Sequence, residues 1–334
     1  MSEKLAAGPN AASLPQIADL QRAVPLVSRL RKKLGWLVMD RSALSDVGES
    51  ALGYLNMLFL FDSVVYLRSL ASLRKHQAAL VEIYEAVGSL DAAIAVASYR
   101  EEFARTARPA REDERRLKFS SLYHPLLAAP VSNAFELIER SALIAGPNMA
   151  GKTVFIRTIG LNVILAQTLN FCCADAAIVP RAIVRSSIRR EDSVQAGESY
   201  FFAEIQQILN FLKTEGDGRR YMFLIDEIYR GTNTIERIAA SAAVLRHLAL
   251  TQMVLATTHD VELQELLSAS FDLAHFSDQV VDGRYTFDYQ IHPGPARSRN
   301  AIKLLEISGY PPAIVREAEN LAARATQLDS IPES

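Results

Sequence analysis

The feature that most constrains the fold is a loop at residues 146–153, which reads GPNMAGKT. It matches the pattern G-x-x-x-x-G-K-[ST] without a gap. A short apolar run, Ser141–Ala145, precedes it, and residues 154–169 follow with apolar side chains at helical spacing. Strand, loop and helix in this order predict a phosphate site, because backbone N–H groups and the positive helix end face one anion. The alternative is a chance glycine turn before a surface lysine.

The side chains at the end of this loop have specific expected roles. Lys152 is expected to reach the β and γ phosphates of a nucleotide, and Thr153 is expected to bind Mg²⁺. The predicted nucleotide-binding residues of the loop are Gly146, Pro147, Asn148, Met149, Ala150, Gly151, Lys152 and Thr153.

Two further apolar runs end in polar residues. Residues 221–225 (YMFLI) lead into Asp226 and Glu227, and residues 252–257 (QMVLAT) end near His259, with a predicted helix at residues 234–250 between them. Strands that alternate with helices predict a mainly parallel sheet, whose ligands bind at the carboxyl ends of the strands. The expected fold class is therefore α/β, a P-loop NTPase sheet flanked by helices.

The polar residues at these strand ends have expected roles in hydrolysis. Asp226 would hold Mg²⁺ through water, and Glu227 would polarise the attacking water, because phosphoryl transfer needs both functions at one desolvated site. Alternatively, the two carboxylates are an acidic start to the next helix. His259 is placed to sense the γ phosphate by hydrogen bonding, although a lone histidine at a strand end is often structural.

The first third of the chain follows a different pattern. Residues 15–108 have apolar side chains at helical spacing, so we expect a helical arm over residues 1–110. Residues 106–118 are charged and contain a proline, which indicates a domain junction or a solvated loop. The domain with the phosphate loop is placed at residues 119–325, and residues 326–334 are expected to be disordered.

Composition excludes several classes of protein. The hydrophobic fraction is 49% and the charged fraction 22%, which excludes a disordered chain or a fibre. The longest apolar run, residues 51–67, is interrupted by Asn56 and Asp62, so no membrane span is expected. The amino terminus does not resemble a signal peptide, and the predicted location is cytoplasmic. Cys172 and Cys173 are adjacent, which excludes a disulfide framework and a four-ligand zinc site built from cysteines.

Charge does not identify a nucleic-acid surface. Residues 1–118 carry 17 basic and 14 acidic side chains, a net charge of +3, and the remaining residues carry 19 and 24, a net charge of −5. Any DNA contact must therefore come from a local patch or from a partner.

Several motifs together resemble the ATPase domain of the MutS mismatch-repair family. They are the phosphate loop, residues 226–228 (DEI) with residues 230–234 (RGTNT), and Thr258 with His259. Residues 197–205 (GESYFFAEI) resemble the family's signature loop, and the resemblance extends from Gly88 to about Arg324. It implies that the arm at residues 1–110 corresponds to the family's lever and that residues 119–325 form its ATPase domain. It also implies that the chain hydrolyses ATP with Mg²⁺ as a DNA-transacting switch.

The resemblance also implies a homodimer through the ATPase domains. Ser199 would reach the nucleotide of the opposite subunit, although from the residues alone it could simply cap the helix predicted at residues 200–212. Tyr289 falls where the family stacks a ring on adenine, although it could equally be a strand aromatic on a packed face. Residues 301–325 resemble the helical tail that braces the dimer.

The sequence departs from the family pattern at particular positions. Ala150 and Tyr229 replace glycines, Tyr200 replaces a small hydroxyl residue, and residues 299–301 replace a serine, an aromatic and a glycine. The 87 residues before Gly88 are too few for a mismatch-reading domain, a connector and a clamp. We therefore expect a short form without its own mismatch reader, whose own DNA binding ignores single mismatches. It would contact DNA directly or through a DNA-binding partner.

Two other functions have to be considered. An ATP-gated protein-interaction module that never touches DNA is compatible with the weak charge asymmetry. An ABC-type or SMC-like ATPase head shares the site chemistry, but long heptad repeats and a Leu-Ser-Gly-Gly signature are missing from the sequence.

Overall fold

The computed structural model describes residues 21, 25, 28, 54, 57–112, 115–188, 200–214, 216–229, 233–281, 284–296 and 301–328. The chain divides into two compact units, residues 1–102 and residues 103–334. The boundary between Glu102 and Phe103 lies just before the junction predicted at residues 106–118.

Two long helices of the first unit have bounds that the structure gives. Helix α1 is Phe61–Lys75 and helix α2 is Gln77–Glu101, with His76 between them. Ala86 and Leu90 are buried there, whereas many large apolar side chains of both helices are exposed. The predicted helical character is confirmed over these residues. Most of the predicted arm before residue 57 lies outside the described residues.

The second unit alternates strands and helices. In chain order its elements are β1 (Ala110–Glu112), β2 (Arg116–Leu122), β3 (Asn133–Ile138), β4 (Ser141–Ala145), α3 (Lys152–Thr168), β5 (Ala176–Pro180), β6 (Ile183–Ser187), α4 (Tyr200–Leu212), β7 (Tyr221–Asp226), α5 (Thr234–Thr251), β8 (Met253–Thr258), α6 (Val261–Leu267), β9 (Phe271–Val281), β10 (Arg284–Pro293), α7 (Ala301–Ile307) and α8 (Pro312–Leu328).

A six-stranded sheet forms the centre of this unit, with strand order β10-β9-β4-β8-β7-β6. Its neighbouring strands pair in parallel except for β9 and β10, which are antiparallel. The three apolar runs predicted as strands are β4, β7 and β8, and they are almost fully buried. Continuous apolar runs are typical of parallel strands that are covered on both faces. The predicted α/β class with a mainly parallel sheet is confirmed.

A second sheet of four strands, ordered β1-β5-β2-β3, was not expected from the sequence. Strand β1 and the start of β2 lie inside the charged segment that was predicted as a junction. In β2 the basic residues Arg116 and Lys118 alternate with the buried residues Leu117 and Phe119. Period-two alternation places one face of a strand in the core even when half of its residues are charged.

The two faces of the central sheet are covered by different helices. On one face, Ile156 and Ile159 of α3 join a core that includes residues of the four-stranded sheet. On the other face, a second core combines strand residues such as Phe223 with Ile208 of α4 and Leu245 of α5. Successive strand residues point to opposite faces, so both cores draw on the same strands.

A buried amide ties α3 to the start of the second unit. The Asn162 carbonyl accepts a hydrogen bond from the Cys173 N–H at 2.6 Å, and its NH₂ group donates to the Tyr123 carbonyl at 3.3 Å. The Tyr123 hydroxyl donates to the Arg105 carbonyl at 2.6 Å. Cys172 and Cys173 are both buried, and burial raises the pKa of the Cys172 thiol to about 12. Both thiols therefore stay protonated at neutral pH.

The carboxyl-terminal tail forms two helices, α7 and α8, separated by a turn at Gly309. Residues 326–328, predicted to be disordered, belong to α8, and residues 329–334 lie outside the described residues. Among the helices that the structure describes, none is both long and apolar enough to cross a membrane.

Candidate active site

The phosphate loop and the two acidic residues meet at one edge of the central sheet. The loop joins the end of β4 to the start of α3, and Ala145 is in register with Thr258 of β8. Asp226 of β7 is in register with Thr257, which directly precedes Thr258 on β8. Three strand ends therefore lie side by side, as expected for parallel strands in a ligand site.

Gly146 allows the loop to leave β4. Its φ is 144°, and a Cβ at this position would lie 2.7 Å from the carbonyl oxygen of Phe276. No side chain is compatible with that approach, because non-bonded carbon and oxygen atoms need more than 3 Å. Further along the loop, Met149 has a left-handed φ of 70° and an exposed side chain, whereas Ala150 is buried.

The Lys152 ammonium lies in the middle of the site. Its Nζ donates to the carbonyl oxygens of Gly146 at 2.6 Å and Pro147 at 3.0 Å. It also lies 3.3 Å from Glu227 Oε1, and the side chains of Lys152 and Glu227 are only 4% and 6% exposed. Burial at this depth strengthens the electrostatic attraction between the ammonium and any anion placed beside it.

The Asp226 carboxylate accepts hydrogen bonds from two hydroxyl groups. The Thr153 hydroxyl donates to Oδ2 at 2.8 Å, and the Thr257 hydroxyl donates to Oδ1 at 2.5 Å. Hydroxyl and carboxylate oxygens are the kind of ligand that Mg²⁺ takes in proteins, and Mg²⁺ usually keeps several waters. The chemistry of this donor set therefore fits the expectation that Thr153 would bind Mg²⁺ and Asp226 would hold it through water. Thr257 was not among the predicted site residues. The sequence does show a hydroxyl residue at the end of the apolar run that forms β8, and that feature could have identified it.

Glu227 lies in a turn whose backbone is left-handed. Its φ is 54° and that of Tyr229 is 61°, a conformation that costs a non-glycine residue about 1 kcal/mol or more. The Glu227 N–H donates to the Thr257 carbonyl at 3.2 Å, which anchors the turn to β8. The turn directs the Glu227 carboxylate back toward Lys152 rather than along the strand.

His259 lies between two carboxylates at the edge of the site. Its Nδ1 lies 3.5 Å from Glu227 Oε2, and its Nε2 lies 3.6 Å from Asp260 Oδ1. Asp260 is held in turn by Arg237, whose guanidinium lies 2.7 Å from the same oxygen. The structure therefore brings together Lys152, Glu227 and His259, the three residues predicted to act in catalysis.

An apolar cavity of about 230 Å³ opens beside the phosphate loop. Met149, Gly151, Val131 and Tyr289 line it, with His124 among the polar groups. A Cβ at Gly151 would lie 3.3 Å from the Tyr289 ring, which places that ring against the start of α3. Apolar walls with a few polar groups are typical of sites that bind the organic part of a cofactor.

Asn133 holds Tyr289 in an irregular part of β10. The pairing of β10 with β9 shifts between Phe287 and Ile291, and Tyr289 has a left-handed φ of 55°. The buried Asn133 amide donates to the Tyr289 carbonyl at 3.0 Å and accepts from the Ile291 N–H at 2.7 Å. Sequence reasoning missed Asn133, because its partners lie more than 150 residues away.

His124 contributes a neutral ring to the cavity. Burial, together with the nearby positive charge of Arg157, lowers the pKa of His124 below its usual value. The Leu126 N–H donates to His124 Nδ1 at 3.2 Å, which requires this nitrogen to be unprotonated. The cavity wall is therefore uncharged here at neutral pH.

Some predicted site residues lie outside the described residues. Ser199 is one of them, because residues 189–199 are not described. Residues 230–232, part of the motif that follows Glu227, are also outside the described residues. The structure does not test the role predicted for Ser199.

Comparison with known proteins agrees with this geometry. A family model described as MutS domain V matches residues 142–326. The chain is 31% identical to the DNA mismatch repair protein MutS of Leptospira interrogans over 281 residues, 79% of this chain and 32% of that protein. It is also 31% identical to the protein of the same name from Thermus thermophilus over 255 residues, 74% of this chain and 31% of that protein.

A third relative carries a related name. It is the DNA mismatch repair protein MutS 2 of Haloarcula marismortui, 30% identical over 57% of this chain and 20% of that protein. The chain spans about a third of the length of the first two relatives. The matched region contains the phosphate loop, both carboxylates, His259 and Tyr289. The chain therefore belongs to the MutS family, and its second unit carries domain V, the family's ATPase domain.

Proposed function

We propose that this chain hydrolyses ATP to ADP and phosphate. The observation that supports this most strongly is the buried contact between Lys152 of the phosphate loop and Glu227 at the end of β7. The ammonium that we expect to bind phosphate and the carboxylate that we expect to act as general base are 3.3 Å apart, and the hydrogen-bonded oxygens of Thr153 and Asp226 belong to the same site. Phosphoryl transfer needs these three functions within one site.

The residues of the chain have distinct parts in this reaction. Lys152 and the amino-terminal end of α3 bind the β and γ phosphates. Thr153 and Asp226 would hold Mg²⁺, which supplies positive charge against the phosphate oxygens when it is bound. Glu227 accepts a proton from the attacking water as the new bond to the γ phosphorus forms and the bond to the β-phosphate oxygen breaks. His259, next to Glu227, orients that carboxylate and the γ phosphate.

We also propose that adenine binds in the cavity beside the loop. Tyr289 and Met149 lie on its walls, and the neutral His124 ring avoids placing a positive charge against the base. Asn133 fixes the backbone of Tyr289, so the ring is positioned before the nucleotide arrives. Such preorganisation lowers the entropic cost of binding.

Replacing Tyr289 with alanine is expected to weaken ATP binding by roughly fivefold or more, because stacking on an aromatic ring is worth about 1–3 kcal/mol per base. Tyr289→Phe keeps the ring and should bind like the wild type. Affinity for a non-hydrolysable ATP analogue, measured by calorimetry, checks both variants. Equal affinities for wild type and Tyr289→Ala would show that adenine binds elsewhere.

The active form in this proposal is a homodimer with shared sites. Ser199 directly precedes α4, and the family resemblance implies that it reaches the nucleotide of the opposite subunit. Turnover per chain is then expected to rise with protein concentration and to level off as the dimer forms. A steady-state ATPase assay over a wide range of protein concentrations measures this. A rate per chain that is independent of concentration, with monomers confirmed by mass, contradicts shared sites.

The ATPase is proposed to act as a DNA-transacting switch, since the relatives are named as DNA mismatch repair proteins. Phosphate contacts make DNA binding fall steeply with added salt. Titration of a DNA duplex at two salt concentrations therefore tests this part of the proposal. Absence of binding at low salt would favour a module that acts on proteins.

A further inference from the structure

Helix α4 contacts the turn that carries Glu227. The Glu204 carboxylate, on the second turn of α4, accepts a hydrogen bond from the Tyr229 N–H at 2.7 Å. Glu204 is only 8% exposed. A carboxylate is costly to bury unless hydrogen bonds replace its lost water, so this contact is a specific one and not a solvated surface pair.

A second contact joins the same helix to the same residue. The rings of Phe201 and Tyr229 lie 6.3 Å apart at 74°, an edge-to-face arrangement that aromatic rings prefer. Tyr229 is 9% exposed, and burial together with the nearby Glu204 raises the pKa of its hydroxyl. The ring therefore packs against α4 as a neutral group.

These contacts bear on Glu227 because it is two residues away in a short, constrained turn. Glu227 and Tyr229 both have left-handed backbones, and Ile228 between them is buried. The Glu227 N–H is bonded to the Thr257 carbonyl on β8. The turn is thus held by β8 at its first residue and by α4 at its third.

We propose that Glu204, with the Tyr229 ring, is a positioning residue for hydrolysis: it fixes the turn that aims the Glu227 carboxylate and does not itself bind nucleotide. This rests on the proposed ATPase function. Left-handed positions favour glycine, which has no Cβ to clash. At this position the chain has tyrosine, the residue whose ring reaches α4. That contact contributes packing energy that a glycine could not supply.

Glu204→Ala removes the hydrogen-bond acceptor. Glu204→Gln keeps an acceptor oxygen on a side chain of the same length. Displacement of a catalytic group by about 1 Å costs on the order of tenfold to a hundredfold in rate. We expect Glu204→Ala to lower kcat by about tenfold or more and to leave the affinity for a non-hydrolysable ATP analogue unchanged. Glu204→Gln should recover most of the rate.

The hydrogen bond itself can be observed without any ATPase assay. Hydrogen exchange of the Tyr229 amide, followed by NMR, should be slow in the wild type, slow in Glu204→Gln and fast in Glu204→Ala. Tyr229→Phe, which removes only the hydroxyl and keeps the ring that packs against α4, is the matched control, and its amide at position 229 should stay protected. These measurements are made on the full chain, with thermal unfolding confirming that each variant is folded.

The outcomes separate this inference from the proposed function. A Tyr229 amide that is unprotected in the wild type overturns the contact. If the Tyr229 amide is protected in the wild type but kcat is unchanged in Glu204→Ala, Glu204 does not position the turn. An equal loss of kcat in Glu204→Gln also overturns the positioning role of Glu204. If the wild type hydrolyses no ATP at any protein concentration, the proposed function fails, and the exchange data still report on the contact.

Discussion

Replacing Glu227 with glutamine is expected to lower the ATP turnover number by about 10²-fold or more while ATP still binds. The amide has the size of the carboxylate but cannot accept the proton of the attacking water. Lys152, Thr153 and Asp226 remain in place to bind the phosphates and Mg²⁺. Single-turnover hydrolysis and equilibrium binding of ATP, measured on the same preparation, separate the two steps.

A matched control for this variant is available on α5. Glu236 is an exposed carboxylate in the first turn of that helix, and Glu236→Gln should hydrolyse ATP like the wild type. If the active form is a dimer, Glu227→Gln should also accumulate as a dimer with ATP bound, which mass measurement detects. Full activity of Glu227→Gln would remove Glu227 from the mechanism.

Replacing Lys152 with alanine is expected to weaken binding of a non-hydrolysable ATP analogue by about 10²-fold or more. In the proposed mechanism Lys152 supplies a buried cation to the terminal phosphates, and water does not replace a fixed charge of this kind at such a depth. Lys213→Ala, at an exposed lysine just after α4, is the control and should bind normally. Wild-type affinity in Lys152→Ala would mean that the loop does not bind phosphate.

Lys152→Ala is also expected to be less stable than the wild type, so its thermal unfolding is measured alongside its affinity. Glu227 is buried beside Lys152, and removal of one partner from a buried ion pair typically costs about 3–5 kcal/mol. Lys152→Ala should therefore unfold at a lower temperature than the wild type. The double variant with Glu227→Gln should regain part of that loss, because it no longer buries an uncompensated charge. A melting temperature unchanged in Lys152→Ala would show that the pair is energetically weak.

The fold class and the positions of the three predicted strands followed from local sequence patterns. Strands β4, β7 and β8 are continuous apolar runs with polar ends, and both features are visible over six or seven residues. The phosphate loop is likewise a local motif. The family and the mainly parallel sheet were therefore predicted correctly, whereas the catalytic and binding roles of individual residues stay predictions.

The contacts that support the site could not be predicted in this way. Asn133, Glu204 and Thr257 each hold a site residue through a partner that is 25 or more positions away along the chain. Residue spacing carries no information about such a pair until the sheet order is known. The four-stranded sheet was missed for a related reason, because β1 has three residues and β2 is rich in charge.

Tyr229 shows how a departure from a family pattern acquires a physical meaning. As a sequence feature it was only a tyrosine where glycine is usual. In the structure its φ is 61°, which explains the preference for glycine at this position, and its ring lies against Phe201. Compared with glycine, tyrosine at this position strains the backbone but adds a packing contact with α4.

The hydrogen bonds of Asn162 connect the phosphate-loop helix to the beginning of the second unit. Asn162 lies ten residues after Lys152, roughly 15 Å along the axis of α3. Its amide is hydrogen-bonded to the backbone at Tyr123 and Cys173, and the Tyr123 hydroxyl donates to the Arg105 carbonyl. Two side chains therefore join α3 to Arg105, three residues after Glu102, the last residue of the first unit.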